Sequence, residues 1–243
     1  MPSADYITLG GGKLYIDKFD ENGKPTGKFE YFGLTTGISV STEIEKLEHT
    51  NTEGKMQAID KTIIKKQSAS MSWTSDEISP EMLSRAFLGE INKITGESTL
   101  SFTNAKAGDF FDLNTYGGTV TVKSGGTALE KDKDYKIDEK SGMLEVLLDK
   151  NIKNGALEVQ ITGGAEKQSI GAFKNAKLEA RLLFIGDVAC GNAMKVLFHK
   201  CNISQDGEFA LKGDEWLSIG FKADILKDET RKNGDQFFSI TAI

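Results

Sequence analysis

The residues best suited to chemistry in this sequence are two histidines, His49 and His199, and two cysteines, Cys190 and Cys201. Strand periodicity would place His199 and Cys201 on one face, with Cys190 shortly before that strand. A structural zinc site needs paired ligands in spacings such as CxxC or HxxxH, and neither pattern occurs. The four residues therefore indicate reduced thiols and ordinary imidazoles, and we expect no metal and no other cofactor.

Motifs for nucleophilic and phosphate chemistry are also missing. No GxSxG nucleophile elbow occurs, and the glycine run before Lys13 is followed by Leu14, where a P-loop requires Ser or Thr. The 36 acidic residues leave a glycosidase pair open, but their spacing selects no particular pair. We therefore expect no enzymatic activity. A hydrolase on a β scaffold stays as an alternative, in which His49 and His199 would have to act.

Composition and charge narrow the class of protein further. The 243 residues carry a net charge of −6, whereas tight nucleic-acid binding usually needs a basic patch. The chain has three prolines against 26 glycines, which favours tight turns between long strands. The first residues show no positive stretch before an apolar core, and no apolar run approaches the ~18 residues of a membrane span. We therefore expect neither a secretory signal nor a membrane protein.

Alternating apolar and polar residues predict a mainly β chain. The predicted strands are 13–19, 28–34, 36–44, 65–74, 97–104, 177–186, 194–203, 217–225 and 236–242. One helix is predicted at 80–88, because Ser79 is a good N-cap and Pro80 suits the first helical position. Met82 and Ala86 belong to its predicted buried stripe.

Two segments depart from this pattern of long strands. The segment 45–62 is polar and lacks alternation, so we interpret it as a long loop between two good strands. The segment 110–164 contains four short strands of its own, at 119–122, 134–137, 144–148 and 157–161. We predict that it is a small β module inserted into a main domain formed by 1–109 and 165–243.

The order of these elements resembles the phage tail tube proteins, the major tail proteins of long-tailed phages. The first match is a strand, a polar loop, a second strand and the acidic helix start SMSWTSDEISPE, from Gly37 to Gly89. The second is the insertion phrase DYKID, SGML and GALEV, from Asp134 to Val159. The third is a C-terminal pair of alternating strands that ends in FFSIT at Thr241. Together the matches cover most of the chain.

This resemblance implies a β-sandwich or partial barrel with one flanking α-helix and an inserted β module. It further implies that six copies form a ring and that rings stack into the hollow tube through which phage DNA is ejected without specific binding. The implied partners are other copies of the chain, the tail tip or baseplate, the tape-measure protein and the tail terminator. The implied location is the tail of the virion, assembled in the host cytoplasm.

Residue types suggest which positions would serve such a tube. The predicted loop 45–62 is suited to reach the next ring, and its candidate inter-ring residues are Glu45, Lys46, Leu47, Glu48, His49, Asn51, Glu53, Lys55 and Met56. The hydroxyl faces of two strands are candidates to line the lumen, and their residues are Ser39, Ser41, Glu43, Ser68, Ser70 and Ser72. A plain solvent-exposed face is an equally good interpretation of these residues.

One alternative function stays open at this point. A β-sandwich binding or adhesin module on a virion or cell surface would share the mainly β pattern. Such a module should expose a cluster of aromatic residues on one strand face, whereas most aromatic residues in the predicted strands lie on the faces assigned to the core.

Overall fold

The computed structural model describes residues 10–52, 57–94, 96–114, 117–231 and 234–243. The chain is mainly β, with several sheets and one α-helix in the described ranges, which confirms the predicted fold class. None of the described sheets closes into a barrel. The chain divides into two compact units, the first formed by Met1–Glu90 and Ile170–Ile243 and the second by Ile91–Ser169.

The elements are numbered here in chain order. The strands are β1 (Gly12–Lys18), β2 (Glu30–Tyr31), β3 (Thr35–Asn51), β4 (Ala58–Ser75), β5 (Glu90–Ile94), β6 (Ser98–Phe102), β7 (Phe110–Asp112), β8 (Thr119–Ser124), β9 (Thr127–Ala128), β10 (Tyr135–Asp138), β11 (Met143–Val146), β12 (Leu157–Thr162), β13 (Lys167–Gly171), β14 (Leu178–Gly186), β15 (Met194–Gln205), β16 (Ile219–Ile225) and β17 (Phe238–Ala242). The helix is α1 (Pro80–Ala86).

Eight strands of the first unit form one antiparallel sheet. Their order is β2–β1–β14–β15–β16–β4–β3, and β17 pairs with β15 outside this path. The strand β15 has two partners along its length, because β17 pairs with Met194–Phe198 and β16 pairs with Cys201–Gln205. The strand β3 is the last in this order and pairs with β4 alone among the described strands, so it is one edge of the sheet.

The core of the first unit lies against one face of this sheet. Phe221 is opposite Trp73 in the register, and their rings stack with centroids 5.5 Å apart. Phe32 meets the Trp73 ring edge-on at 5.2 Å. Met82 and Ala86 of α1 belong to the same buried cluster, so the helix covers the apolar face of the sheet. The predicted buried stripe of the helix is thus confirmed at these two residues.

The helix begins as predicted and ends earlier than predicted. The Ser79 side chain accepts a hydrogen bond from the backbone N–H of Met82 at 3.3 Å, which is the expected N-cap. The helix stops at Ala86, two residues before the end of the predicted range 80–88. Leu88 has a φ of 48°, a left-handed conformation that cannot continue a right-handed helix. No helix in the described ranges is long and apolar enough to cross a membrane.

The second unit is a small β structure with its own core. It contains a three-stranded sheet, β10–β11–β7, and a four-stranded sheet, β6–β12–β8–β9. Its core includes Leu144 and Val159, both fully buried. The predicted module boundaries, 110–164, are too narrow, because β6 pairs with β12 and therefore belongs to this unit. The chain passes between the units in β5 and β13, which pair with each other.

A buried carboxylate holds the first strand of the large sheet to its surroundings. The Asp17 side chain is 0% exposed and accepts hydrogen bonds from Arg181 Nε at 3.0 Å, Thr26 Oγ1 at 2.6 Å and Gly27 N at 3.1 Å. Burial acts to raise the pKa of Asp17. The hydrogen bonds from Thr26, Arg181 and Gly27 outweigh burial and hold this pKa below its ordinary value.

We expect Asp17→Asn to lower the free energy of unfolding by about 3 kcal/mol at pH 7, because the substitution breaks a buried ion pair. A lowered folded pKa means that ionised Asp17 stabilises the fold above the ordinary pKa of about 4 and loses this effect as pH falls through the folded value. The difference in the free energy of unfolding between Asp17→Asn and the wild type should therefore shrink below about pH 4. Urea denaturation of both proteins between pH 7 and pH 3 measures this difference.

The exposed Asp224 of β16 offers a matched control for this experiment. Asp224→Asn should change the free energy of unfolding by no more than about 0.5 kcal/mol at any of these pH values. A loss for Asp17→Asn that stays constant down to pH 3 would show that the carboxylate charge is not what stabilises the site.

Candidate assembly surface

The segment 45–62, which the sequence predicts to be a loop, is a β-hairpin. The pairing of β3 with β4 continues from Ser39 opposite Ser72 out to Asn51 opposite Ala58. The loop prediction is therefore wrong. Of the predicted inter-ring residues, Glu45, Lys46, Leu47, Glu48, His49 and Asn51 lie in β3, whereas Glu53, Lys55 and Met56 lie outside the described residues.

Two bulges explain why the sequence pattern concealed this hairpin. Lys65 and Asp60 each lie at a step where β4 has one more residue than β3. A bulge of this kind shifts the alternation between the two faces by one residue. The apolar residues of this part of β4, Ile59, Ile63 and Ile64, therefore show no regular period of two. Asp60 falls inside the predicted loop 45–62, and Lys65 is the first residue of the predicted strand 65–74; neither was predicted to be a bulge.

The bulged residues also form two polar side-chain contacts that cross the hairpin, an ion pair from Lys65 and a hydrogen bond between Asp60 and His49. Lys65 Nζ lies 2.7 Å from Glu45 Oε1, and Asp60 Oδ1 lies 2.6 Å from His49 Nδ1. All four side chains are exposed, so each pair contributes at most about 1 kcal/mol. The pairs help to set the register of the hairpin. They contribute little to the stability of the subunit.

Half of this hairpin extends beyond the body of the sheet. The strand β16 pairs with β4 only from Ala69 to Ser75. Residues 58–68 of β4 have β3 as their one strand partner in the described part of the chain. At about 3.3 Å per residue they project by about 35 Å. A two-stranded hairpin is only marginally stable in water by itself, so this one is suited to be covered by another molecule.

The projecting hairpin also exposes apolar side chains. Leu47 and Ile63 lie opposite each other in the register and are 62% and 52% exposed. Ile44, Ile59 and Ile64 of the projecting half are exposed as well. Large apolar residues on an unpaired strand edge promote association with another chain. The hairpin therefore has the character of a protein–protein interface.

The hydroxyl-bearing residues of β3 and β4 form continuous rows across the two strands. The opposed pairs are Ser39 with Ser72, Ser41 with Ser70, and Glu43 with Ser68. The Oγ atoms of Ser39 and Ser72 are 2.9 Å apart, within hydrogen-bonding distance. Lys222 and Asp224 of β16 continue the first two rows. The structure brings all six predicted residues together, and the role of this face in lining a lumen stays a prediction.

Of the residues best suited to chemistry, His49 lies on this surface beside Asp60, whereas His199 and Cys201 are buried in the first unit. His199 is buried, and its Nε2 lies 3.1 Å from Asp235 Oδ1. Cys201 belongs to the buried core of the first unit, and burial raises the pKa of its thiol to about 12. No three His, Cys, Asp or Glu side chains in the described ranges converge to hold a metal ion.

A family model with the description "Protein of unknown function UCP028589" matches residues 7–241. The chain belongs to this family. A comparison with curated proteins gives no match. The family description states no activity, so the function of this UCP028589 member has to be argued from its surface.

The stability of the monomer should respond very differently to substitutions in the two halves of β4. Ile63→Ser, in the exposed half, should change the free energy of unfolding by no more than about 0.5 kcal/mol. Met71→Ala, in the buried half, should lower it by about 2–5 kcal/mol because it leaves a cavity in the core. Urea denaturation at a concentration where the protein is monomeric measures both. A loss above 2 kcal/mol for Ile63→Ser would mean that the hairpin packs against its own subunit.

Proposed function

We propose that this chain is a structural subunit of a phage tail tube, in which six copies form a ring and stacked rings form the conduit for DNA ejection. The observation that carries the proposal is the β3–β4 hairpin. It projects about 35 Å, exposes apolar residues on both strands, and has no strand partner for its outer half in the described part of the chain.

Long unpaired edges are a liability in a monomer and an advantage in an ordered assembly. A soluble monomer has to protect its strand edges from other chains. The 17-residue strand β3 is an edge of the large sheet. The bulges at Asp60 and Lys65 of β4 increase the local twist of the outer hairpin. In a ring or a stack, the neighbouring copy covers such an edge. A head-to-tail contact that returns on itself closes a ring, and a second one that does not close grows a filament.

The polar face of the large sheet suits a conduit for DNA. Its rows of serine hydroxyls offer few positive charges, and the chain as a whole has a net charge of −6. Every phosphate contact with Lys or Arg would add affinity and slow the passage of the duplex. A neutral or acidic lumen leaves the DNA mobile. The proposed role needs no cofactor and no catalysis, and its other partners would be the tail tip or baseplate, the tape-measure protein and the terminator.

One observation favours a second function, a β-sandwich binding or adhesin module. Trp216 is 97% exposed, and exposed tryptophan often marks a binding site. The other exposed aromatic residues lie on separate segments, for example Tyr31 in β2 and Phe110 in β7. They do not share one strand face, as a platform for a flat ligand would require. Binding of a monomer to a glycan array, lost in Trp216→Ala, would support this second function.

Electron microscopy of the concentrated full-length protein tests the tail tube directly. We expect six-fold rings in top views and stacked rings or tubes in side views, because edges that are uncovered in the monomer find partners at high concentration. A protein that stays monomeric at every concentration, including after addition of tail-tip complexes as initiators, would falsify the proposal.

Shortening the hairpin separates folding from assembly. Replacing residues 48–60 by an Asn-Gly turn should leave the free energy of unfolding of the monomer within about 1 kcal/mol, because the removed side chains that the structure describes are exposed. Tube growth, measured by light scattering and microscopy, should be lost.

A full-length variant provides the control for hairpin length. The double substitution Leu47→Ser with Ile63→Ser keeps the reach of the hairpin but removes an exposed apolar pair. If this variant assembles and the shortened one does not, the hairpin acts mainly through its reach. If the shortened variant forms normal tubes, the hairpin is not an inter-ring contact.

A further inference from the structure

The connection between β15 and β16, residues 206–218, exposes three large apolar side chains, Leu211, Trp216 and Leu217. Trp216 is 97% exposed and Leu211 is 81% exposed. The connection is anchored at its base, because Phe209 packs edge-on against Phe87 with centroids 5.9 Å apart and Asp206 N donates to Gly220 O at 2.9 Å. It therefore presents Trp216 from a fixed base. We call this segment the tryptophan loop.

The tryptophan loop is also acidic. It contains four carboxylates, at Asp206, Glu208, Asp214 and Glu215, against one cation, Lys212. None of these carboxylates makes an ion pair with any residue that the structure describes. An exposed tryptophan that follows two unpaired carboxylates fits a partner surface that is both apolar and positively charged.

A cavity of about 850 Å³ in the same unit has this character. Phe19 and Pro25 contribute apolar walls. Five cationic side chains line the cavity, from Lys24, Arg181, Lys200, Lys227 and Arg231, against two carboxylates, from Asp228 and Glu229. Asp228 is paired with Arg231. We call this space the cationic cavity. Much smaller apolar cavities, of about 150 Å³, accept a benzene ring, so there is room for an indole together with parts of its loop.

Two of the cavity lysines are available to a partner. Arg181 and Arg231 are neutralised by aspartates, and Lys200 lies 3.8 Å from Glu179. Lys24 and Lys227 make no ion pair with any described residue.

One ring nitrogen of a buried histidine that lines the cavity also lacks a partner. His199 lines the cavity and its side chain is 1% exposed. Its Nε2 faces Asp235, but its Nδ1 has no hydrogen-bond partner. An unsatisfied polar atom at a buried position costs free energy unless a further group reaches it. The cavity is thus polar as well as positively charged.

The tryptophan loop and the cationic cavity of one copy do not meet. The loop ends where β16 begins, at Ile219, and the cavity residue Lys227 follows the end of β16 at Ile225. Seven residues of extended strand separate these ends by about 20 Å. Trp216 is almost fully exposed, so it does not fill the cavity of its own copy. Any such contact joins two copies.

We propose that the tryptophan loop of one copy docks in the cationic cavity of a second copy. Trp216 packs against the apolar walls and the lysine side chains, and Asp214 and Glu215 pair with Lys24 and Lys227. The two surfaces differ, so the contact is head-to-tail and can be repeated around a ring or along a filament. The proposal rests on the proposed function, because it names one contact by which the subunits of the tube would associate.

Charge reversal tests the pairing. One variant carries Asp214→Lys with Glu215→Lys, and the other carries Lys24→Glu with Lys227→Glu. Each variant alone sets like charges against each other and should associate at least about 30-fold more weakly than the wild type. A 1:1 mixture should recover association, because the reversed loop then meets the reversed cavity and the native loop meets the native cavity. Analytical ultracentrifugation and negative-stain microscopy measure both.

Single substitutions test the aromatic contact. Trp216→Ala should weaken association by about 30-fold or more, as expected for a buried tryptophan at the centre of an interface. Phe173→Ala is the matched control, since Phe173 is 79% exposed and lies outside the loop and the cavity. It should associate like the wild type. Circular dichroism and thermal unfolding should show that all variants fold, because every substituted side chain is exposed.

The outcomes separate this contact from the tail tube itself. If the wild type forms rings or tubes and the charge-reversed variants and Trp216→Ala do so equally well, the docking is wrong and the tube stands. If the reversed variants lose association but their mixture does not recover it, the loop and the cavity do not face each other. A wild type that stays monomeric under every condition contradicts both proposals.

Discussion

The difference in length between β4 and β16 is the constraint on which the candidate assembly surface depends. The strand β4 has 18 residues, but β16 has seven and covers β4 only from Ala69 to Ser75. The covered half is held by backbone pairing on both sides and by burial of Met71 and Trp73. Among the described residues, β3 is the one strand that pairs with the other half. One strand therefore contributes both to the core of the subunit and to the surface by which we propose that it assembles.

The chemistry of the side chains follows this division. Where β4 is covered, its two faces differ sharply, with buried apolar residues on one face and serines on the other. Beyond Ala69 this contrast fades, bulges interrupt the alternation, and apolar and charged residues are exposed together. The bulges and the charges limit edge-to-edge pairing in the free subunit, whereas the exposed isoleucines still offer apolar area to a specific partner.

The tryptophan loop and the cationic cavity lie at opposite ends of the strand β16. The strand holds the two features apart, so that each copy presents both and the two do not meet within one copy. Rigid separation of complementary surfaces leads to head-to-tail association. The hairpin and the loop would then act at different contacts, one apolar and extended, the other compact and charged.

The sequence by itself determined much of the secondary structure of this protein. The N-cap Ser79, the strands around Met71 and Phe221, and the separate strand pattern of the second unit all follow from local periodicity and turn chemistry. The pairing of the six residues of the hydroxyl face also agrees with the period of two. These features were predictable because neighbouring residues are enough to specify them.

The tertiary structure alone decided the hairpin, the boundary of the second unit and the cationic cavity. The bulges at Asp60 and Lys65 removed the periodic signal from a strand that is nevertheless paired, since backbone hydrogen bonds do not require alternating side chains. The strand β6 joins the second unit only through its pairing with β12. Lys24, Lys200 and Lys227 are far apart in the sequence and line one cavity because β1, β14, β15 and β16 are successive neighbours in the sheet. Their proximity depends on long-range pairing, which local patterns do not encode.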